Sequence, residues 1–124
     1  MAVLRMTFRP ELLSAGARER ILDTTEPLFY STVSLWEISI KMSKGGYEDL
    51  VLPDDWDERI VDGFGEQGIG RVEIAQVHCK RMVTLPFHHK DPFDRMLIAQ
   101  GLDAGFDVIS SDKRFDDYGV MRLW

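Results

Sequence analysis

Glu37, Asp94 and Asp112 are the residues of this chain whose type and placement point to chemistry. Glu37 follows the apolar run Leu28-Phe29-Tyr30-Ser31-Thr32-Val33, Asp94 sits in the first turn of a helix opened by Asp91-Pro92-Phe93, and Asp112 stands just past Asp107-Val108-Ile109-Ser110. An open parallel sheet delivers the C-terminal ends of its strands, and the helix starts that follow, to one edge where ligands bind. The three carboxylates should therefore meet there. Carboxylates brought that close repel one another unless they are protonated or bridged by a cation, so the expected occupant is a metal. Oxygen donors without a thiolate favour Mg²⁺ or Mn²⁺ over zinc. Such an ion can activate water and neutralise charge developing on a phosphodiester.

Each acid also has a local use. Glu37 would complete a capping box with Ser34 or pair with Lys41 four residues on. Asp91 is a strong N-cap ahead of Pro92, Asp94 at the third helical position favours the dipole, and Asp112 suits a turn. These uses do not compete with a site, because first-turn carboxylates lie at its edge anyway. His88-His89 reads as an exposed loop within reach of substrate, since adjacent residues point apart and a third ligand is missing. His78 reads as a surface or packing residue, and Trp36, Trp56 and Trp124 as core or interface anchors.

The elements that must position these residues alternate between strand and helix. An amphipathic segment from Glu11 to Leu22 precedes a strand over 28–33, and a helix capped by Ser34 runs to Gly45-Gly46. A peripheral helix over 53–63, a short strand around Val72 and a helix through His78-Cys79-Lys80-Arg81 follow. The clearest helix runs from the Asp91 cap to Gly105, and after it come strands at 107–110 and 120–123 around a turn or brief helix at 111–115. Strand, helix and strand at this spacing imply right-handed parallel crossovers.

Composition narrows the rest. The chain has 124 residues, 44% of them hydrophobic, which suits one domain with one core. A net charge of −6 excludes a broad basic surface for nucleic acid, so any such contact is local or bridged by metal. The single Cys79 excludes an intramolecular disulfide and a thiolate zinc site. No apolar run is long enough to span a membrane, and the expected location is cytoplasmic.

The segments Val33-Ser34-Leu35-Trp36-Glu37-Ile38-Ser39-Ile40-Lys41, His88-His89-Lys90-Asp91-Pro92-Phe93-Asp94-Arg95-Met96-Leu97-Ile98-Ala99-Gln100 and Ser110-Ser111-Asp112-Lys113-Arg114-Phe115 with Tyr118-Gly119 together resemble PIN-domain proteins, most closely toxins of the VapC type. The resemblance runs from about Leu13 to Trp124. It implies a three-layer α/β/α fold with a parallel central sheet, and a Mg²⁺- or Mn²⁺-dependent ribonuclease held in check by a cognate antitoxin. It further implies that Glu37, Asp94 and Asp112 are the catalytic, metal-holding acids, with Asp91 accessory, Lys41 and Arg95 as RNA phosphate contacts, and a homodimer as the assembly.

Such relatives begin with an apolar strand ending in Asp, whereas here no acid precedes Glu11. Three explanations stand: a start codon assigned downstream of the true one, which makes the chain N-terminally truncated; a degenerate relative; or Ala2–Phe8 filling the first-strand slot, paired beside 28–33. The competing function is a catalytically impaired module that binds an antitoxin or a copy of itself. A phosphoacceptor receiver domain needs acids after the first strand and a late lysine, a pattern not found here.

Overall fold

Ser31 decides where the first strand ends. Its hydroxyl accepts a hydrogen bond from the Val33 N–H at 3.1 Å, so the chain turns into a helix at Thr32 and not after Val33. In the computed structural model, which describes all residues 1–124, the order is α1 (Ala2–Phe8), a 3-10 turn (Pro10–Leu12), α2 (Ala15–Leu22), β1 (Phe29–Ser31), α3 (Thr32–Ser43), α4 (Trp56–Glu66), β2 (Gly70–Val72), α5 (Gln76–Met82), α6 (Pro92–Ala104), β3 (Val108–Ile109), a second 3-10 turn (Lys113–Tyr118) and β4 (Arg122–Leu123). The strand expected over 28–33 thus keeps only its middle. Ser34 is a buried first-turn residue of α3 and no cap, and the Ser34–Glu37 capping box is not formed.

The fold is mixed α/β with parallel strand pairing, as the crossovers implied, but the strands make two separate sheets. β1 pairs with β2, Tyr30 opposite Arg71, and β3 pairs with β4, Val108 opposite Arg122. Each sheet has its own core. Val3, Leu4, Tyr30, Ile38, Leu52, Ile60 and Phe64 pack together on the β1–β2 side, and Leu85, Ile98, Phe115 and Val120 on the β3–β4 side. α4 contributes Ile60 and Phe64 to the first of these, so it is a core helix and not a peripheral one.

Ala2–Phe8 does not replace a strand. It is helical, and the reason lies in its spacing: Val3 and Leu4 enter the first core while Thr7 bonds back to the Val3 carbonyl at 3.0 Å, contacts that an alternating strand could not combine. Consequently a continuous central sheet, and with it a symmetric α/β/α sandwich, does not form in this chain. Between β1 and β3 lies a cleft of about 670 Å³.

α6 carries the strongest local signals and forms as they dictate. Asp91 caps it by accepting from the N–H groups of Phe93 and Asp94 at 2.8 and 3.2 Å, Pro92 opens it, and Gly105 ends it at φ +68°, a left-handed conformation that glycine adopts without strain. It joins the two halves, with Phe93 meeting Trp36 of α3 edge to face at 5.0 Å. No helix is long and apolar enough to cross a membrane.

Candidate functional site

Asp94 and Asp112 reach one point from different elements, Asp94 from the first turn of α6 and Asp112 from the loop after β3. Between them stands His89, whose Nε2 lies 2.9 Å from Asp94 Oδ2 and 3.1 Å from Asp112 Oδ2. The Nδ1 of His89 accepts from the Asp91 N–H at 3.1 Å, which places the ring proton on Nε2. The imidazole therefore donates to the acid pair, taking the role a cation would otherwise fill. One ligand atom from each of His89, Asp94 and Asp112 lies within 4.8 Å of the others, a spacing that suits one ion.

His89 is 2% exposed, so the expected exposed loop holds for His88 alone. Its burial is a tertiary effect. Arg95 of α6 donates to the carbonyls of Pro86 at 2.6 Å and Leu85 at 3.1 Å, and Tyr118 accepts from the His89 N–H at 2.8 Å while donating to Pro86. Arg95 is itself buried, with its guanidinium 3.9 Å from the Phe87 ring centre. It clamps the 85–89 loop, with Nη1 and Nη2 both bonded to main-chain carbonyls of that loop.

Glu37 lines the cleft between β1 and β3 together with Asp94 and Asp112. Burial, then the negative charges of Asp94 and Asp91, push its carboxyl up to about 7. Asp94 is also raised, by burial first and Asp91 next, with His89 acting against them. Asp112 moves the other way: Arg114 donates to it from Nη2 at 2.6 Å and holds it ionised well below the usual carboxylate range. Glu37, Asp94 and Asp112 thus form an electrostatic gradient from a firmly ionised Asp112 to a reluctant Glu37. Asp91 contributes charge while its oxygen is used as the helix cap.

Lys41 is exposed at the end of α3, its ammonium 5.8 Å from the centre of the Tyr47 ring. Arg114 is a cation at the acid cluster, half exposed and directed at Asp112. Its signal in the sequence was only proximity to Asp112. His78 is buried, accepting from the Ala75 N–H at 2.9 Å through Nδ1. Trp36 is 55% exposed despite its contact with Phe93.

Carboxylate oxygens from several elements, with raised acids awaiting a counter-charge, fit a hard divalent cation. His89 would join as a ligand only by giving up its Nε2 proton and with it the bond from Asp91. No curated protein sequence matches the chain. The PIN domain family matches residues 2–121, nearly the whole length. With that match laid over acids gathered from α3, α6 and the β3 loop, the chain belongs to the PIN-domain family.

Proposed function

We propose that the chain is a metal-dependent endoribonuclease, the toxin of a toxin–antitoxin pair, in keeping with a family whose members are generally nucleases. The observation that carries this reading is the gathering of Asp94 and Asp112 on one histidine beside Glu37, an excess of negative charge that calls for a cation. Glu37, Asp94 and Asp112 would hold Mg²⁺ or Mn²⁺. When bound, the ion supplies an activated water and neutralises charge on the scissile phosphate. Asp91 keeps α6 capped and adds to the field. Arg114, half exposed beside Asp112, is the group that meets a non-bridging phosphate oxygen. A homodimer, with Trp36 on its surface, and an antitoxin segment over the acids complete the proposal.

The second reading is a binding module that cleaves nothing. It is favoured by α1, which brings no carboxylate to the cleft. An assay of a structured RNA with Mn²⁺ separates the two readings. Cleavage by the wild type that is lost in Asp94→Asn and Asp112→Asn supports the nuclease, and intact RNA at micromolar protein rejects it.

A further inference from the structure

Phe87 is 79% exposed, more than any other phenylalanine or tryptophan of the chain. A surface phenylalanine by itself needs no explanation, but this one is held in place. The guanidinium of Arg95, itself buried, lies over the ring and backs one of its faces. The loop on either side is fixed as well: Arg95 bonds the Leu85 and Pro86 carbonyls, and Tyr118 donates to Pro86 while accepting from the His89 N–H. The result is a flat apolar ring, rigid on one side and open to water on the other. Such a ring loses little conformational freedom when a partner stacks on it.

The surroundings of the ring indicate what would stack there. Phe87 is two residues from His89, whose Nε2 sits between Asp94 and Asp112, so its Cα lies within about 7.6 Å of the His89 Cα. Lys90, on the far side of His89, and Lys113, beside Asp112, are exposed and form no ion pair. His88 is exposed too, its ring set at 68° to Tyr118 and 5.1 Å from it. An open π face, cations without carboxylate partners and a hydrogen-bonding imidazole, all at the margin of the acid cluster, match a single nucleic-acid strand. Unpaired bases stack on aromatic faces while Lys and Arg follow the backbone. An apolar side chain of a protein partner is instead taken up by a pocket, whereas Phe87 projects from the surface and lies outside the cleft between β1 and β3.

We propose that Phe87 is a base-stacking platform: an unpaired nucleotide next to the phosphate held at the acids lays its base on the open face of the ring, with Lys90 on the backbone. The platform selects single strands over duplex, because a base within a duplex has both faces covered by its neighbours. The choice of RNA as the strand rests on the nuclease reading above, and the stacking does not.

The test is binding of a fluorescent single-stranded RNA hexamer to the full chain in Mg²⁺, with phosphorothioate linkages that resist cleavage. Phe87→Leu keeps an apolar side chain on the loop without a π face and should weaken binding by about tenfold. Phe87→Trp retains a ring over Arg95 and should bind at least as tightly as the wild type. On addition of the hexamer the Phe87 ring protons should move upfield, a shift that a ring with a merely structural role would not show. The duplex form of the hexamer should bind more weakly and with no dependence on Phe87. Wild-type affinity in Phe87→Leu, ring resonances that stay in place, or a wild type that binds no hexamer would each overturn the proposal. So would a dimer that Phe87→Leu dissolves, which would assign the ring to a second copy. Binding through Phe87 without cleavage of unmodified RNA would support the platform and reject the nuclease reading, whereas cleavage with Phe87→Leu binding at wild-type strength would do the reverse.

Discussion

Arg95 donates to the carbonyl of Pro86 at 2.6 Å, so a charge buried on α6 fixes the loop that presents His89. Arg95→Ala should cost about 2–3 kcal/mol, because it leaves the Leu85 carbonyl without its donor and the Pro86 carbonyl with Tyr118 alone. Arg95→Lys should rescue little, since a point charge cannot span both acceptors. Thermal unfolding checks this, and a melting temperature unchanged in both variants would contradict the clamp.

Glu37 sets the pH response of the metal-free chain. Its folded value of about 7 lies above the ordinary 4.5, so the native state holds a proton that the unfolded state has released between those values. Its contribution is neutral below about pH 4.5, and stability then falls as pH rises toward 7, with the full penalty above. Glu37→Gln should therefore stabilise by roughly 1–3 kcal/mol at pH 8 and by nothing at pH 4, water at the partly exposed carboxylate trimming the full conversion. Denaturant unfolding at the two pH values measures the difference, and a gain of equal size at both would rule out the titration.

Cation binding should be visible without any RNA. Mn²⁺ at a hundredfold excess over its dissociation constant adds about 2.7 kcal/mol of stability, enough to raise the melting temperature by several degrees. Asp94→Asn and Asp112→Asn should abolish most of that rise. In the wild type a titration with diamagnetic Mg²⁺ should bring the Glu37 carboxyl down from about 7, which NMR would report directly.

Asp91 offers a separation of two roles. Asp91→Asn keeps a capping oxygen and should change stability by only a few tenths of a kcal/mol, whereas Asp91→Ala should cost about 1 kcal/mol. Both remove a charge that raises Glu37, so both should lower its pKa. A Glu37 value that does not move in either variant would show that Asp91 plays no part and that burial and Asp94 set it.

What the sequence made legible was local. Asp91-Pro92 and Gly105 bound α6 because caps act within a turn, and the acids after strands fell on one cleft because parallel topology sends them there. Three features were hidden for one physical reason: their partners are distant in the chain. Ala2–Phe8 became a helix because Val3 and Leu4 find Ile60 and Phe64. His89 is buried through Arg95 and Tyr118, the latter 29 residues away. Arg95 itself carried a surface residue's composition, and only the 85–89 loop folding over it turned its charge inward.

The two-core arrangement also bears on how the chain acquires its structure. Val108 finds Arg122 across 14 residues, whereas Phe29 must find Gly70 across 41. Loop closure for the longer span costs about 1 kcal/mol more, so in refolding from denaturant the C-terminal half nucleates first. Synthesis reverses that order. Leu123 pairs with Ile109 and follows every residue of the N-terminal half, so on a growing chain that half has its partners before the C-terminal half can close.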